Sequence, residues 1–208
     1  GEIIAARIQS GENCAIVTDA GMPAISDPGE DLVRLCHELS IPVESVPGPT
    51  AFATALALSG MEVGRFTFEG FLSVSKKSRR EHLEDIVNER RTMVFYEAPH
   101  KLCNTLADLY KYLGDREIAI VREITKIHEE VIKTTLSQAV AMYETEKPKG
   151  EYVLVIAGKK EKKEDITLDN AVKMAQSLVD DGLSINAAAK EIAASTQFKK
   201  SDIYKALL

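Results

Sequence analysis

Residues 15–29 read AIVTDAGMPAISDPG, and the fold turns on how this stretch is taken. Residues 15–18 are a short apolar strand. A long turn follows, carrying Asp19, Gly21, Pro23, Ser26, Asp27, Pro28 and Gly29, and then a helix. A plain connection needs less punctuation than this. Glycine lets backbone N–H groups approach a ligand closely, and proline holds the path rigid. In α/β proteins, ligands sit at turns beyond the carboxyl ends of strands. An ordinary strand-to-helix loop also accounts for these residues, since most Gly/Pro clusters are only turns.

The same unit recurs further along. Residues 42–46 read as a second strand and VPGPT (46–50) as a second punctuated turn. The small, apolar helix 51–59 follows and stops at Gly60. If the strands are parallel, both turns fall on one edge of the sheet. The unbroken apolarity of residues 14–18 fits a strand buried on both faces, as in a parallel sheet. Before it, Ile3, Ile4, Arg7 and Ile8 with Gly11 read as a helix and its C-terminal cap. Asp27 and Pro28 suit the N-cap and first position of a helix bearing Leu32, Val33, Cys36 and Leu39 on one face.

Beyond residue 64 a second set of elements is expected. Residues 63–71 alternate and read as a strand or crossover. SVSKKSRR (73–80) reads as a basic loop, and 81–90 as a helix. Residues 92–96 are a strand. Pro99 opens a helix whose Leu102, Leu106, Leu109 and Leu113 share a face, closed by Gly114. Strands at 117–122, 131–135 and 152–157 follow, with a helix capped by Ser137 between the last two. The expected fold class is therefore α/β. It comprises a partial first α/β domain (1–64), a second α/β domain (65–158) and a charged linker, KKEKKED (159–165). Residues 166–208 form a small helical domain. Its helices, 167–181, 184–194 and 201–208, carry Thr167, Ser184 and Ser201 as caps and have a helix-turn-helix cadence. A plain three-helix bundle has the same cadence.

Composition narrows the function classes. The chain has 208 residues, 45% hydrophobic and 28% charged, enough for a sizeable core. No apolar run approaches the roughly 20 residues of a membrane span. The opening GEIIAARIQSGE has no apolar h-region, so it does not read as a signal peptide. Cys14, Cys36 and Cys103 lie far apart, which fits buried, reduced thiols in a cytoplasmic chain better than disulfides or zinc. A net charge of −6 weighs against indiscriminate nucleic-acid binding.

The turns argue against phosphate cradles. Neither GxxxxGK[ST] nor GxGxxG is present, and no lysine lies in residues 15–29. Backbone amides, the hydroxyls of Thr18, Ser26 and Thr50, and the carboxylate of Asp19 suit an uncharged or zwitterionic ligand with an adenosyl or amino-acid part. No Cys/His metal cluster or GxSxG elbow is present in the sequence. Any chemistry then rests on positioning.

DAGMPAISDPG, VPGPTA, FEGFL, RTMVFYEAPHKL, REITKIHEE and GEYVLVIAG, in this order, resemble the tetrapyrrole methylase superfamily. DAGMP, EAPHKL and REITK point to its ribosomal RNA branch, whose members methylate the 2′-hydroxyl of a cytidine in 16S rRNA using S-adenosyl-L-methionine. The likeness begins after the family's opening strand, its GTPIGNL-like turn and its EDTR-like motif, so the first domain is expected to lack them. The resemblance implies cofactor contacts from Asp19, Ala20, Gly21, Ala24, Ile25 and Ser26 in the first turn. It implies others from Pro47, Gly48, Thr50 and Ala51 in the second turn, and from Glu97, Ala98, Ile124, Gly150, Glu151 and Tyr152 in the second domain. It further implies a homodimer, with small-subunit ribosomal RNA or the ribosomal subunit as partner and no membrane.

Glu97, Glu123 and a neutral Lys126 are the candidates to assist a ribose hydroxyl. A structural carboxylate at Glu97 and a salt-bridged strand end at residues 122–126 are the competing readings. Lys76, Lys77, Arg79 and Arg80, with His100 and Lys101, are the candidates to grip rRNA. Ordinary exposure of a loop and of a helix start is the alternative. A tetrapyrrole methylase and a non-catalytic ligand- or nucleic-acid-binding module are the rival functions.

Overall fold

The computed structural model describes residues 1–160 and 166–208, so most of the expected charged linker lies outside the described residues. The chain divides into two compact units, Gly1–Lys159 and Lys160–Leu208.

In the first unit the core grows from β5, Tyr152–Ile156, whose sequence YVLVI is buried at every position. Its neighbours are β2, Thr92–Glu97, and β3, Glu117–Arg122, both antiparallel to it. β1, Phe66–Gly70, runs parallel to β2, and β4, Glu130–Thr135, antiparallel to β3. The sheet order is β1-β2-β5-β3-β4.

Alternation along these strands feeds two cores. Phe95, Ile118, Ile120, Leu154 and Ile156 pack on one face, with α5 (Leu102–Leu113) and α6 (Leu136–Thr145). All four leucines of the expected α5 stripe are buried, each worth about 1.5–3 kcal/mol over exposure. Val94, Ala119, Val121, Val153 and Val155 form the other face, against Ala55 and Leu56 of α3, Ala51–Ser59. α3 lies N-terminal to residue 64, yet it supplies the cover for the sheet of residues 66–156.

Two expected strands do not form. Residues 14–18 and 42–46 are without strand structure, and Val17 and Val46 are 84% and 88% exposed. A strand is held by its ladder. Neither segment finds a partner among the described residues, so their apolar pattern expresses β-propensity without pairing. They flank α2, Glu30–Glu38; α1, Glu2–Gln9, precedes both. The expected basic loop is also corrected. Ser75 is the N-cap of α4, Lys76–Asp85, and a 3-10 turn, Ile86–Asn88, follows. Lysine and arginine are good helix formers, and solvent accepts their charges.

The second unit holds α7 (Leu168–Asp180), α8 (Ile185–Ser195) and α9 (Lys200–Ala206). Its core is mostly alanine, with Ala171, Ala175, Ala188 and Ala189 fully buried beside Ile192 and Ile203. Thr167 and Ser184 cap their helices through Asn170 N–H and Ala187 N–H. Ser201 lies inside α9, whose N-cap is Lys199. No helix among the described residues is long and apolar enough to cross a membrane.

Candidate functional site

The two punctuated turns meet. A Cβ on Gly21 would lie 3.5 Å from the Pro49 carbonyl oxygen, and one on Gly48 would lie 3.3 Å from Met22 Sδ. Gly21 and Met22 of the first turn thus adjoin Pro49 and Gly48 of the second. The first turn is wound through left-handed backbone at Gly21 (φ 81°), Ala24 (φ 66°) and Ser26 (φ 62°). Such values cost non-glycine residues roughly 1–2 kcal/mol each. Asp19, Ala20, Ile25 and Ser26 are exposed. Thr50 is the N-cap of α3, and its side chain makes no capping bond.

The second turn is tied to the sheet by Tyr96, which sequence reading did not single out. Its phenol oxygen accepts the Phe52 N–H at 3.0 Å, supplying a cap that Thr50 does not. Burial, with a smaller contribution from Asp27, pushes the Tyr96 phenol above its ordinary pKa. Phe52, Phe68, Phe71 and Tyr96 stack in contact, with centroids 4.8 Å apart for Phe52 and Phe68 and 5.6 Å for Phe71 and Tyr96. The signal for Tyr96 is its place as the hydroxyl-bearing side chain that ends the apolar run MVF.

Sheet register gathers the remaining candidates at one end. Glu97 pairs with Tyr152, and Tyr152 with Arg122. Ala98, Ile124, Gly150 and Glu151 therefore lie beyond the same sheet edge. Ile124 packs in the α3-side core with Phe52 and Tyr96. An open polar cleft lined by Arg65, Asp85, Glu89 and Arg91 lies instead at the opposite end of β2, beside Thr92.

The candidate bases are all engaged. Glu97 is buried; Oε1 accepts the Ala98 N–H at 2.8 Å and Oε2 the Thr105 hydroxyl at 2.5 Å. Glu123 adopts φ 51°, and its Oε1 accepts Lys126 Nζ at 2.9 Å and the Glu151 N–H at 3.1 Å. Lys126, with the Glu151 N–H next, holds the Glu123 carboxyl below the usual range. Glu123 and Glu151 hold the Lys126 ammonium above its own. Lys126 is therefore charged at neutral pH, in contrast to the neutral amine needed for a base. Gly150, at φ 82°, makes room for this clasp, since its Cβ would stand 2.5 Å from Glu123 Oε1.

The basic candidates divide. Lys76, Lys77 and Arg80 are exposed on α4, and His100 is exposed before α5. Lys101 is the half-buried N-cap of α5. Arg79 turns inward, with Nε 2.7 Å from Asp108 Oδ2 and Nη2 3.0 Å from Thr105 Oγ1. Expected on an RNA-facing surface, its guanidinium is instead paired with the carboxylate of α5 in this structure.

The chain as a whole is similar to known proteins. The family described as Tetrapyrrole (Corrin/Porphyrin) Methylases matches residues 1–140. A Synechocystis protein named Ribosomal RNA small subunit methyltransferase I is 42% identical over 202 residues, covering 96% of this chain and 72% of that protein. A protein of the same name from Escherichia coli O157:H7 is 39% identical over 207 residues, covering 98% and 72%. Among solved structures, the methyltransferase CobJ superposes with a TM-score of 0.58 at 18% identity, over 76% of this chain and 69% of that one. A uroporphyrin-III-C-methyltransferase from Thermus thermophilus gives 0.52 at 20% identity, over 75% and 70%. These two share the fold.

Proposed function

This chain belongs to the tetrapyrrole methylase family, and from that premise we propose that it transfers a methyl group from S-adenosyl-L-methionine to the 2′-hydroxyl of a cytidine in small-subunit ribosomal RNA. The observation that carries the reading is the convergence of the two glycine-proline turns with the end of β2. Curated relatives named for small-subunit ribosomal RNA support the choice of substrate over a porphyrinoid.

The residues fit that cofactor. The turns offer backbone amides, Ser26 and Thr50 hydroxyls and one carboxylate, Asp19, with no lysine to favour a phosphate instead. Gly48 keeps the two turns in close approach, Gly21 supplies the φ of 81° that winds the first turn, and Phe71 and Tyr96 add aromatic surface. When bound, the cofactor supplies an activated methyl carbon on a sulfonium. The chain's own part is alignment. Asp19 to Ser26 and Pro47 to Ala51 hold one side; Glu97, Ala98, Ile124 and Gly150 to Tyr152 hold the other. In-line alignment of oxygen, methyl and sulfur is worth roughly 7–11 kcal/mol. Glu97 acts as a wall carboxylate that fixes the Ala98 N–H. Glu123 and Lys126 neutralise one another and brace the β3–β4 loop, Glu123 being a weakened base and Lys126 carrying no lone pair to accept a proton.

Lys76, Lys77 and Arg80, with His100 and Lys101, hold the RNA backbone, a role that is independent of sequence. The proposal includes a cytoplasmic location and a homodimer, the latter tested by sedimentation equilibrium. The function is tested by offering the chain radiolabelled S-adenosyl-L-methionine with either hypomethylated small ribosomal subunits or a porphyrinoid. Label in the RNA supports the reading; label in the porphyrinoid alone overturns it.

A further inference from the structure

Three of the four basic residues that open α4 face outward, and one does not. Lys76, Lys77 and Arg80 are exposed, and the contacts of Lys77 to Glu81 (3.9 Å) and Arg80 to Glu84 (3.7 Å) are long surface pairs of little strength. The Arg79 side chain is only 17% exposed. It reaches across to α5, pairing with Asp108 and bonding Thr105 Oγ1.

Thr105 is 1% exposed, and its hydroxyl has a single proton. A guanidinium only donates, so Thr105 accepts from Arg79 and its own proton goes to Glu97 Oε2 at 2.5 Å. Glu97 Oε1 then accepts the Ala98 N–H. The direction of every bond is fixed by chemistry: Arg79 to Thr105, Thr105 to Glu97, and Ala98 to Glu97. The Thr105–Glu97 bond is buried, where a hydrogen bond is stronger and a broken one is costly, and the two bonds that flank it are part-buried. The relay starts in the turn of α4 that bears Lys76, Lys77 and Arg80 and ends at the strand edge beside Tyr96.

We propose that Arg79 is a positioning residue that couples RNA held on α4 to Glu97 and Ala98 at the end of β2, beside the two turns assigned to the cofactor. This rests on the methyltransferase reading above. RNA phosphates on Lys76, Lys77 and Arg80 fix α4, and Arg79 carries that constraint through Thr105 to the Ala98 N–H. By linkage, the cofactor product tightens RNA binding by the same factor that RNA tightens the product.

The test measures apparent Kd of the full chain for hypomethylated small ribosomal subunits by co-sedimentation, with and without saturating S-adenosylhomocysteine. The wild type is expected to bind subunits about fivefold or more tightly with it. Thr105→Val, which removes the hydroxyl at nearly constant shape, is expected to bring that ratio to about one, and Thr105→Ser to restore it. Arg79→Lys, which keeps the charge but loses the planar fork, is a second variant should Thr105→Val not fold, with the same loss expected. A purely structural network would lower Tm in these variants while leaving the ratio at its wild-type value, which overturns the proposal. Wild-type binding of both ligands with no coupling overturns the proposal alone. Wild-type binding of neither overturns the methyltransferase reading with it.

Discussion

The phenol oxygen of Tyr96 accepts the backbone N–H of Phe52 at 3.0 Å, joining the end of β2 to the first turn of α3. This bond holds the second turn, Pro47 to Ala51, against the sheet. Tyr96→Phe keeps the ring stack but leaves that N–H without its partner. A loss of about 1 kcal/mol is expected in urea unfolding. S-adenosylhomocysteine affinity is expected to fall while subunit binding through α4 is spared, read by calorimetry and co-sedimentation.

Glycine substitutions separate strain from site. Gly21, Gly150 and Gly182 all have positive φ, but their surroundings differ. Gly182→Ala meets nothing within 4 Å, so only backbone strain of roughly 1–2 kcal/mol is expected. Gly150→Ala adds a clash with Glu123 and is expected to lower Tm further. Gly21→Ala is expected to weaken S-adenosylhomocysteine binding, which Gly182→Ala leaves unchanged.

Acid stability follows Glu89. Its carboxylate takes the Arg91 guanidinium and the Arg91 N–H, which lower its pKa from 4.5 to about 2. The folded state therefore binds fewer protons than the unfolded state between these values. The stabilisation is complete above the unfolded pKa and is lost as pH falls through about 2. The Tm gap between wild type and Glu89→Gln is expected to stay constant from pH 7 to 5.5 and to shrink steadily below pH 4.5, as thermal scans across buffers would show.

The outward residues of α4 act on RNA by charge. Replacing Lys76, Lys77 and Arg80 with alanine is expected to weaken subunit binding and to flatten its log Kd against log salt slope by about 2–3. S-adenosylhomocysteine binding alone is expected to be unchanged. A cofactor defect in this triple variant would contradict the assignment of α4 to RNA.

Much of this structure was legible where local pattern and tertiary need agree. The run YVLVI became the central strand, and the leucine spacing of residues 102–113 became a buried face. Thr167 and Ser184 cap the helices they precede. Reading failed where a distant partner decides. The stretches 14–18 and 42–46 have strand-like residues but no ladder among the described residues. KKSRR looked like a solvated loop because a charge run carries no helix period, yet its residues favour helix. Arg79 turns inward because Asp108, 29 residues away, waits on α5. Tyr96 and Phe52 are 44 residues apart, so their bond left no trace in either segment. The turns themselves stood out by their glycines and prolines, whereas their contact through Gly21 and Pro49 is a property of the fold.

The most direct test of the central claim is nucleoside mass spectrometry of small-subunit RNA after incubation with this chain and S-adenosyl-L-methionine carrying a deuterated methyl group. Deuterated 2′-O-methylcytidine is the expected product. A deuterated methyl on a base, or none in the RNA, would contradict it.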